Sequence, residues 1–105
     1  MAAPGDFLSF LAARRAAYRG ELPGRVARLA QLVADASGRE ALETLEREAH
    51  SLAGSAATFG MEEVGRIARR IELAVHEARE HGRGVSGDPA VARDLRELQD
   101  HAAHG

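Results

Sequence analysis

The sequence predicts an all-α protein: an antiparallel up-down four-helix bundle with an additional N-terminal helix. Apolar residues recur at steps of three and four, which is helical spacing, and the period-two pattern of a strand is absent. Alanine supplies much of the apolar composition, and faces bearing alanine let helices pack closely. At 105 residues the chain has the size of one compact domain, 1–105. The short connections favour antiparallel neighbours.

Two helices are predicted in the first third of the chain, at about 6–20 and 23–36. Asp6 can cap the first of them, which carries three of the four aromatic residues. We expect this helix to cover one end of the bundle; the alternative is that it contributes to a docking surface for a partner protein. Pro23 is typical of the first turn of a helix, where its missing N–H would have no partner, so we expect the second helix to begin there.

Three further helices are predicted at about 38–59, 61–81 and 88–103. A Ser-x-x-Glu pattern from Ser37 to Glu40 is typical of a capping box, Gly60 of a helix end, and Asp88 before a proline of an N-cap. The residues expected in the core are Leu42, Leu45, Ala49, Leu52, Ala56 and Phe59, then Val64, Ile67, Ala68, Ile71, Val75 and Ala78, and finally Val91, Leu95, Leu98 and Ala102.

The composition argues against several classes of protein. Without cysteine the chain can form neither disulfides nor thiolate metal sites. Its 14 basic residues are balanced by 16 acidic ones, whereas a nucleic-acid binder usually has a basic excess. No apolar run is long enough for a bilayer, and the N-terminus does not have the pattern of a signal peptide. We therefore expect a cytoplasmic protein that binds neither nucleic acid nor membrane. We also expect it to be a monomer.

A zinc site is also not expected. His76 and His81 are five residues apart, whereas two histidines that share a metal on one helix face are four apart. Their place near a helix C-terminus already favours histidine, because the helix dipole stabilises positive charge there.

The stretch REAHSLAGSAATFG, residues 47–60, contains the main candidate for a functional residue. His50 follows the core position Ala49 and so lies about 100° away from it, beside the core rather than in it. The residues that could cover its ring are Ala53, Gly54 and Ala57, all of them too small. A glycine inside a helix costs about 1 kcal/mol relative to alanine. Gly54 therefore indicates close helix packing together with close approach by a partner.

Residues His50 to Gly60 resemble the signature of histidine-containing phosphotransfer (HPt) domains, the carriers of bacterial multistep phosphorelays. That signature begins with a histidine, any residue and an aliphatic residue, and the position after these is usually lysine. A glycine follows, then two small residues, one further residue, a small polar residue, an apolar residue and a second glycine. The segment Met61–Glu72 resembles the family's next helix, including its closing apolar-Glu pair.

The resemblance implies a phosphocarrier that is not an enzyme in its own right. His50 Nε2 would exchange a phosphoryl group with the aspartate of a response-regulator receiver domain, which would bring the Mg²⁺. A hybrid histidine kinase is a second partner that the resemblance implies, and this chain would need no cofactor. The docking surface around His50 would consist of Glu46, Arg47, Ala53, Gly54 and Ala57.

One position departs from the family pattern, because Ala53 stands where the family usually has lysine. That lysine would offset the charge of the phosphohistidine, whereas nearby Glu46 makes the region more acidic. Arg47 can compensate, as can an arginine of the following helix. The sequence does not distinguish among the candidates Arg47, Arg66, Arg69 and Arg70.

Two other functions remain open at this point. An HPt-like scaffold or inhibitor would bind a receiver or histidine kinase without being phosphorylated, and Ala53 favours that alternative. A helical oligomerisation module would bury His50 in a dimer interface. The sequence also leaves open whether the domain is free-standing, which its initial methionine favours, or a module of a larger protein.

Overall fold

The computed structural model describes residues 4–104, and this part of the chain forms four helices. They are α1 (Pro4–Asp35), α2 (Arg39–Thr58), α3 (Glu62–Glu80) and α4 (Pro89–His104). Both α1 and α3 pack against α2 and α4, so the four helices form a closed bundle. The predicted all-α architecture is confirmed.

Contacts between side chains show that the helices on either side of α2 run antiparallel to it. Tyr18 of α1 meets Ser55 near the end of α2, and Arg28 further along α1 meets Glu48 nearer its start. On the other side, Glu46 of α2 meets Arg79 near the end of α3, and His50 further along α2 meets Glu72 earlier in α3. α2 therefore lies between α1 and α3, with one face on each.

The core consists of the apolar positions that recur at helical spacing. Side chains with no exposed surface include Leu45, Ala49, Ile67, Ile71 and Leu98. All the residues predicted for the core are buried except Phe59 and Ala102, which are partly buried and pack against the others. Steps of three and four therefore identified the buried face of each bundle helix.

The prediction of a separate N-terminal helix was wrong, because α1 continues without a break through Pro23. A proline inside a helix removes one hydrogen bond and crowds the preceding turn, at a cost of about 3 kcal/mol. Tertiary packing offsets that cost, since the buried stripe crosses the proline at helical spacing. Its members are Tyr18, Leu22, Val26, Leu29 and Val33.

The first half of α1 also does not cover the end of the bundle. Tyr18 stacks on Phe59 just after the last turn of α2, with ring centroids 4.8 Å apart. The residues before Tyr18 lie beyond that point, and all of 5–17 are exposed except Leu11, which is partly exposed. Phe7 and Phe10 are each about 60% exposed. This segment extends away from the bundle as a helical arm.

The helix ends agree with the sequence at two positions and differ at two others. Gly60 adopts φ +75°, and the Met61 N–H after it donates to the Ala56 carbonyl, as expected at a helix C-terminus. Asp88 caps α4 by accepting hydrogen bonds from two backbone N–H groups. The capping box was wrong, because Gly38 is the N-cap of α2 and no side chain caps it. Asp6 lies inside the first turn of α1 and is not its cap.

None of the helices described between residues 4 and 104 is long and apolar enough to span a bilayer.

Candidate functional site

His50 lies on α2 with its ring exposed to solvent. Its side chain retains 71% of its accessible surface, whereas the preceding residue, Ala49, is fully buried. The imidazole therefore lies beside the core stripe, as its position in the helical repeat predicts.

One nitrogen of this ring is occupied by a carboxylate from α3. His50 Nδ1 lies 2.7 Å from Glu72 Oε2, and the other carboxylate oxygen, Oε1, lies 2.8 Å from Arg69 Nη1. An ionised carboxylate can only accept hydrogen bonds, so the proton belongs to Nδ1. In the neutral ring Nε2 then carries the free lone pair.

The other side of the ring opens onto a shallow groove between α2 and α3. Its floor consists of small residues, and its α3 side carries charged residues of both signs: Glu62, Arg66, Arg69 and Glu72. The floor residues are Ala53, Gly54, Ala57 and Gly65. With a bare Nε2 beside a groove that no large side chain fills, the arrangement offers a nucleophilic nitrogen to a partner.

The comparison with known families decides how this site is classified. The model of the Hpt domain matches residues 15–104, which is most of the chain. The chain belongs to the Hpt domain family. Hpt domains are phosphocarrier modules that take part in histidine phosphotransfer in phosphorelays. Members of the family interact with receiver domains and kinases. Neither a search of curated proteins nor a search of solved structures found a significant match. The arm of α1 before residue 15 lies outside the matched region.

The two glycines that line the groove between α2 and α3, Gly54 and Gly65, have different roles. A Cβ added to Gly54 would meet nothing within 4 Å, so the predicted role of Gly54 in helix packing was wrong. A Cβ added to Gly65 would lie 3.3 Å from the Ala53 carbonyl oxygen. Gly65, which the sequence analysis did not single out, is therefore the glycine that lets α2 and α3 approach closely.

Glu46 and Arg47, predicted beside His50, lie in a second depression that His50 also borders. Glu46 is bonded to two residues of α3: Oε1 lies 2.6 Å from His76 Nδ1 and Oε2 lies 2.9 Å from Arg79 Nε. Burial raises the pKa of Glu46, but the hydrogen bonds and charges of Arg79 and His76 outweigh it, and the pKa falls below its ordinary value. Arg47 donates a long hydrogen bond to Thr44.

The remaining histidines near the end of α3 are held by separate partners. His76 bonds to Glu46, and the Nδ1 of His81 bonds to the Glu77 carbonyl oxygen. Over residues 4–104, no three histidine, aspartate or glutamate side chains are grouped so that they could hold a metal ion.

Two serines that follow the histidine on α2, Ser51 and Ser55, belong to a polar network with α1 that sequence reasoning missed. Arg25 donates to both Ser51 and Ser55, and Tyr18 shares a 2.8 Å hydrogen bond with Ser55. The guanidinium of Arg25 also lies over the Tyr18 ring. This network fixes the face of α1 beside the site, and it depends on the register between the helices, for which the sequence carries no local signal.

Proposed function

We propose that this Hpt domain carries a phosphoryl group on Nε2 of His50, which it takes from or returns to the aspartate of a response-regulator receiver domain. The observation that carries the proposal is the hydrogen bond between His50 Nδ1 and Glu72. It assigns the proton to Nδ1 and leaves Nε2 as a nucleophile on the exposed side of the ring.

The transfer step balances with these residues. The Nε2 lone pair attacks phosphorus, a P–N bond forms, and the P–O bond of the acyl phosphate breaks to release the partner's aspartate carboxylate. The proton stays on Nδ1, so the ring becomes positively charged as the bond forms. Glu72, with a side chain only 12% exposed, stabilises that charge.

The partner supplies the rest of the chemistry. Phosphoryl transfer depends mainly on in-line positioning and charge stabilisation, which the receiver's acidic pocket and its Mg²⁺ provide. This chain contributes the nucleophile and a surface that the partner can approach closely. At Gly54 there is open space where a side chain would stand, which supports docking at that point. The role fits a cytoplasmic phosphocarrier with no cofactor of its own.

The experiment that tests the proposal is phosphoryl transfer from a panel of phosphorylated receiver domains of the same organism. We expect acid-labile, alkali-stable label on the native protein and none on His50→Gln. No label from any receiver would contradict the proposal. If both forms still bound a receiver, the alternative of a non-phosphorylated scaffold or inhibitor, which Ala53 favours, would replace it.

A further inference from the structure

A phosphoryl group on His50 would enter a region that already holds negative charge. It adds close to two negative charges near neutral pH. The carboxylate of Glu72 is bonded to the same ring, and Glu46 lies one turn before His50 on α2. Residue 53, one turn after it, is alanine and brings no charge. Arg47 borders the second depression with Glu46 and donates to Thr44, and it does not line the groove beside Ala53, so a cation in that groove has to come from another helix.

Most of the arginines near the site are engaged by other acidic groups. Arg70 bonds to Asp94 and Glu97 on α4, away from the His50 groove. Arg79 bonds to Glu46. Neither guanidinium lines the groove beside Ala53 and Gly54.

Two arginines line that groove together with His50, Arg66 and Arg69, and the carboxylates of Glu62 and Glu72 line it with them. Arg66 is paired with Glu63, its neighbour in the first turn of α3. Arg69 is bonded to Glu72, the same carboxylate that holds the imidazole. The Glu72 carboxylate therefore links the two side chains: Oε1 lies 2.8 Å from Arg69 Nη1, and Oε2 lies 2.7 Å from His50 Nδ1.

The other donors of Arg69 are available to a ligand. A guanidinium has five N–H donors, and within residues 4–104 the acceptor bonded to Arg69 is Glu72 alone. The side chain is 56% exposed, so its end can turn toward the groove without leaving a buried position. Guanidinium groups suit phosphate oxygens because two parallel N–H donors match two oxygens.

We propose that Arg69 is the cation that binds the phosphoryl group carried on His50, an anion subsite supplied by α3 across the groove from Ala53. The inference rests on the proposed function, because it needs a phosphorylated His50. Glu72 then has two tasks: it holds the proton on Nδ1 and keeps Arg69 within reach of the group on Nε2. The Arg69 donors that Glu72 does not occupy then bind the phosphoryl oxygens.

The test uses phosphoramidate, a small phosphoryl donor that needs no partner protein, and ³¹P NMR of the phosphohistidine as a function of pH. A nearby guanidinium favours the dianionic phosphoryl group and lowers the pH at which it loses its last proton. In Arg69→Gln we expect that midpoint to rise by about half a pH unit, the size expected for an exposed ion pair. Arg69→Lys keeps the charge and should retain the native midpoint.

Two further variants separate a direct contact from a structural effect. Arg66→Gln removes a similar exposed arginine of the same groove and should leave the midpoint nearly unchanged. Adding Ala53→Lys to Arg69→Gln places a cation on the other side of the groove and should restore the native midpoint. A large shift in Arg66→Gln, or a shift in Arg69→Gln that Arg69→Lys shows as well, would overturn the assignment.

The outcomes distinguish the two proposals. If the phosphohistidine signal is absent from the native protein, or is equally present in His50→Gln, the proposed function fails and the inference fails with it. If the native signal is present and its midpoint is the same in Arg69→Gln, the inference alone is refuted and the phosphocarrier role stands.

Discussion

Replacement of Glu72 probes how the ring is held for transfer. Glu72→Leu removes the acceptor for the Nδ1 proton together with the charge that stabilises the ring as the P–N bond forms. Glu72→Gln keeps an acceptor of similar shape and removes only the charge. The two variants therefore separate control of the tautomer from electrostatic stabilisation.

The magnitude follows from the contact itself. A hydrogen bond involving a charged group contributes about 1.5–3 kcal/mol, and since the His50 ring is 71% exposed we take the lower end. At about 1.4 kcal/mol for each factor of ten, Glu72→Leu should slow transfer by roughly tenfold. The glutamine variant retains a neutral hydrogen bond and should slow it by roughly threefold.

The assay is single-turnover transfer from a phosphorylated receiver, with folding checked by circular dichroism. Glu63→Gln is the matched control, because Glu63 lies on the same helix and pairs with Arg66 instead of a histidine. In ¹⁵N NMR of the neutral ring, the native protein should carry its proton on Nδ1, whereas the leucine variant should populate the Nε2-protonated form. A folded Glu72→Leu protein that transfers at the native rate would refute the reasoning.

Three other substitutions test the groove and the ion pairs. Gly54→Leu should stay folded, and helix propensity should raise its free energy of unfolding, measured in urea, by about 0.5–1 kcal/mol. The variant should lose transfer from a receiver but keep labelling by phosphoramidate; loss of both would contradict a docking role. Glu46→Gln tests the lowered pKa of Glu46. The ionised carboxylate stabilises the folded protein fully above the ordinary pKa of 4.5, and this contribution is lost as pH falls through the lowered pKa. From about pH 6 to about pH 3 the native protein should therefore lose more stability than Glu46→Gln, and parallel losses would speak against it. Arg70→Met leaves Asp94, with a side chain 6% exposed, without its cation. Because the Arg70 side chain is itself 37% exposed, the cost should be about 2 kcal/mol, and most of it should be recovered when Asp94→Leu is added. A single variant as stable as the native protein would show that the pair contributes little.

Most of the fold could be predicted because it depends on local periodicity. On α2, α3 and α4 the steps of three and four identify the buried face, and Gly60 and Asp88 mark helix ends through backbone conformation and capping that a short sequence specifies. The prediction that a helix begins at Pro23 was wrong. The local preference of this proline favours a helix start, but the apolar stripe through Leu22 and Val26 packs on the bundle and keeps α1 continuous.

The site was predictable to the extent that it lies on one helix. His50 and the small residues after it share a face of α2, so spacing alone placed them together. The partners from α3 depend on the register between two helices, which no local pattern specifies. Glu72 belonged to the segment with the family resemblance, yet its hydrogen bond to His50 could not be predicted, and neither could the close approach at Gly65.

The most direct measurement is to determine which nitrogen of which histidine carries the phosphoryl group after transfer from a receiver. Coupling between ³¹P and ¹⁵N in the labelled protein distinguishes the two ring nitrogens. The hydrogen bond from Nδ1 to Glu72 predicts a phosphoryl group on Nε2 of His50. A phosphoryl group on Nδ1, on another histidine, or on none would contradict the account.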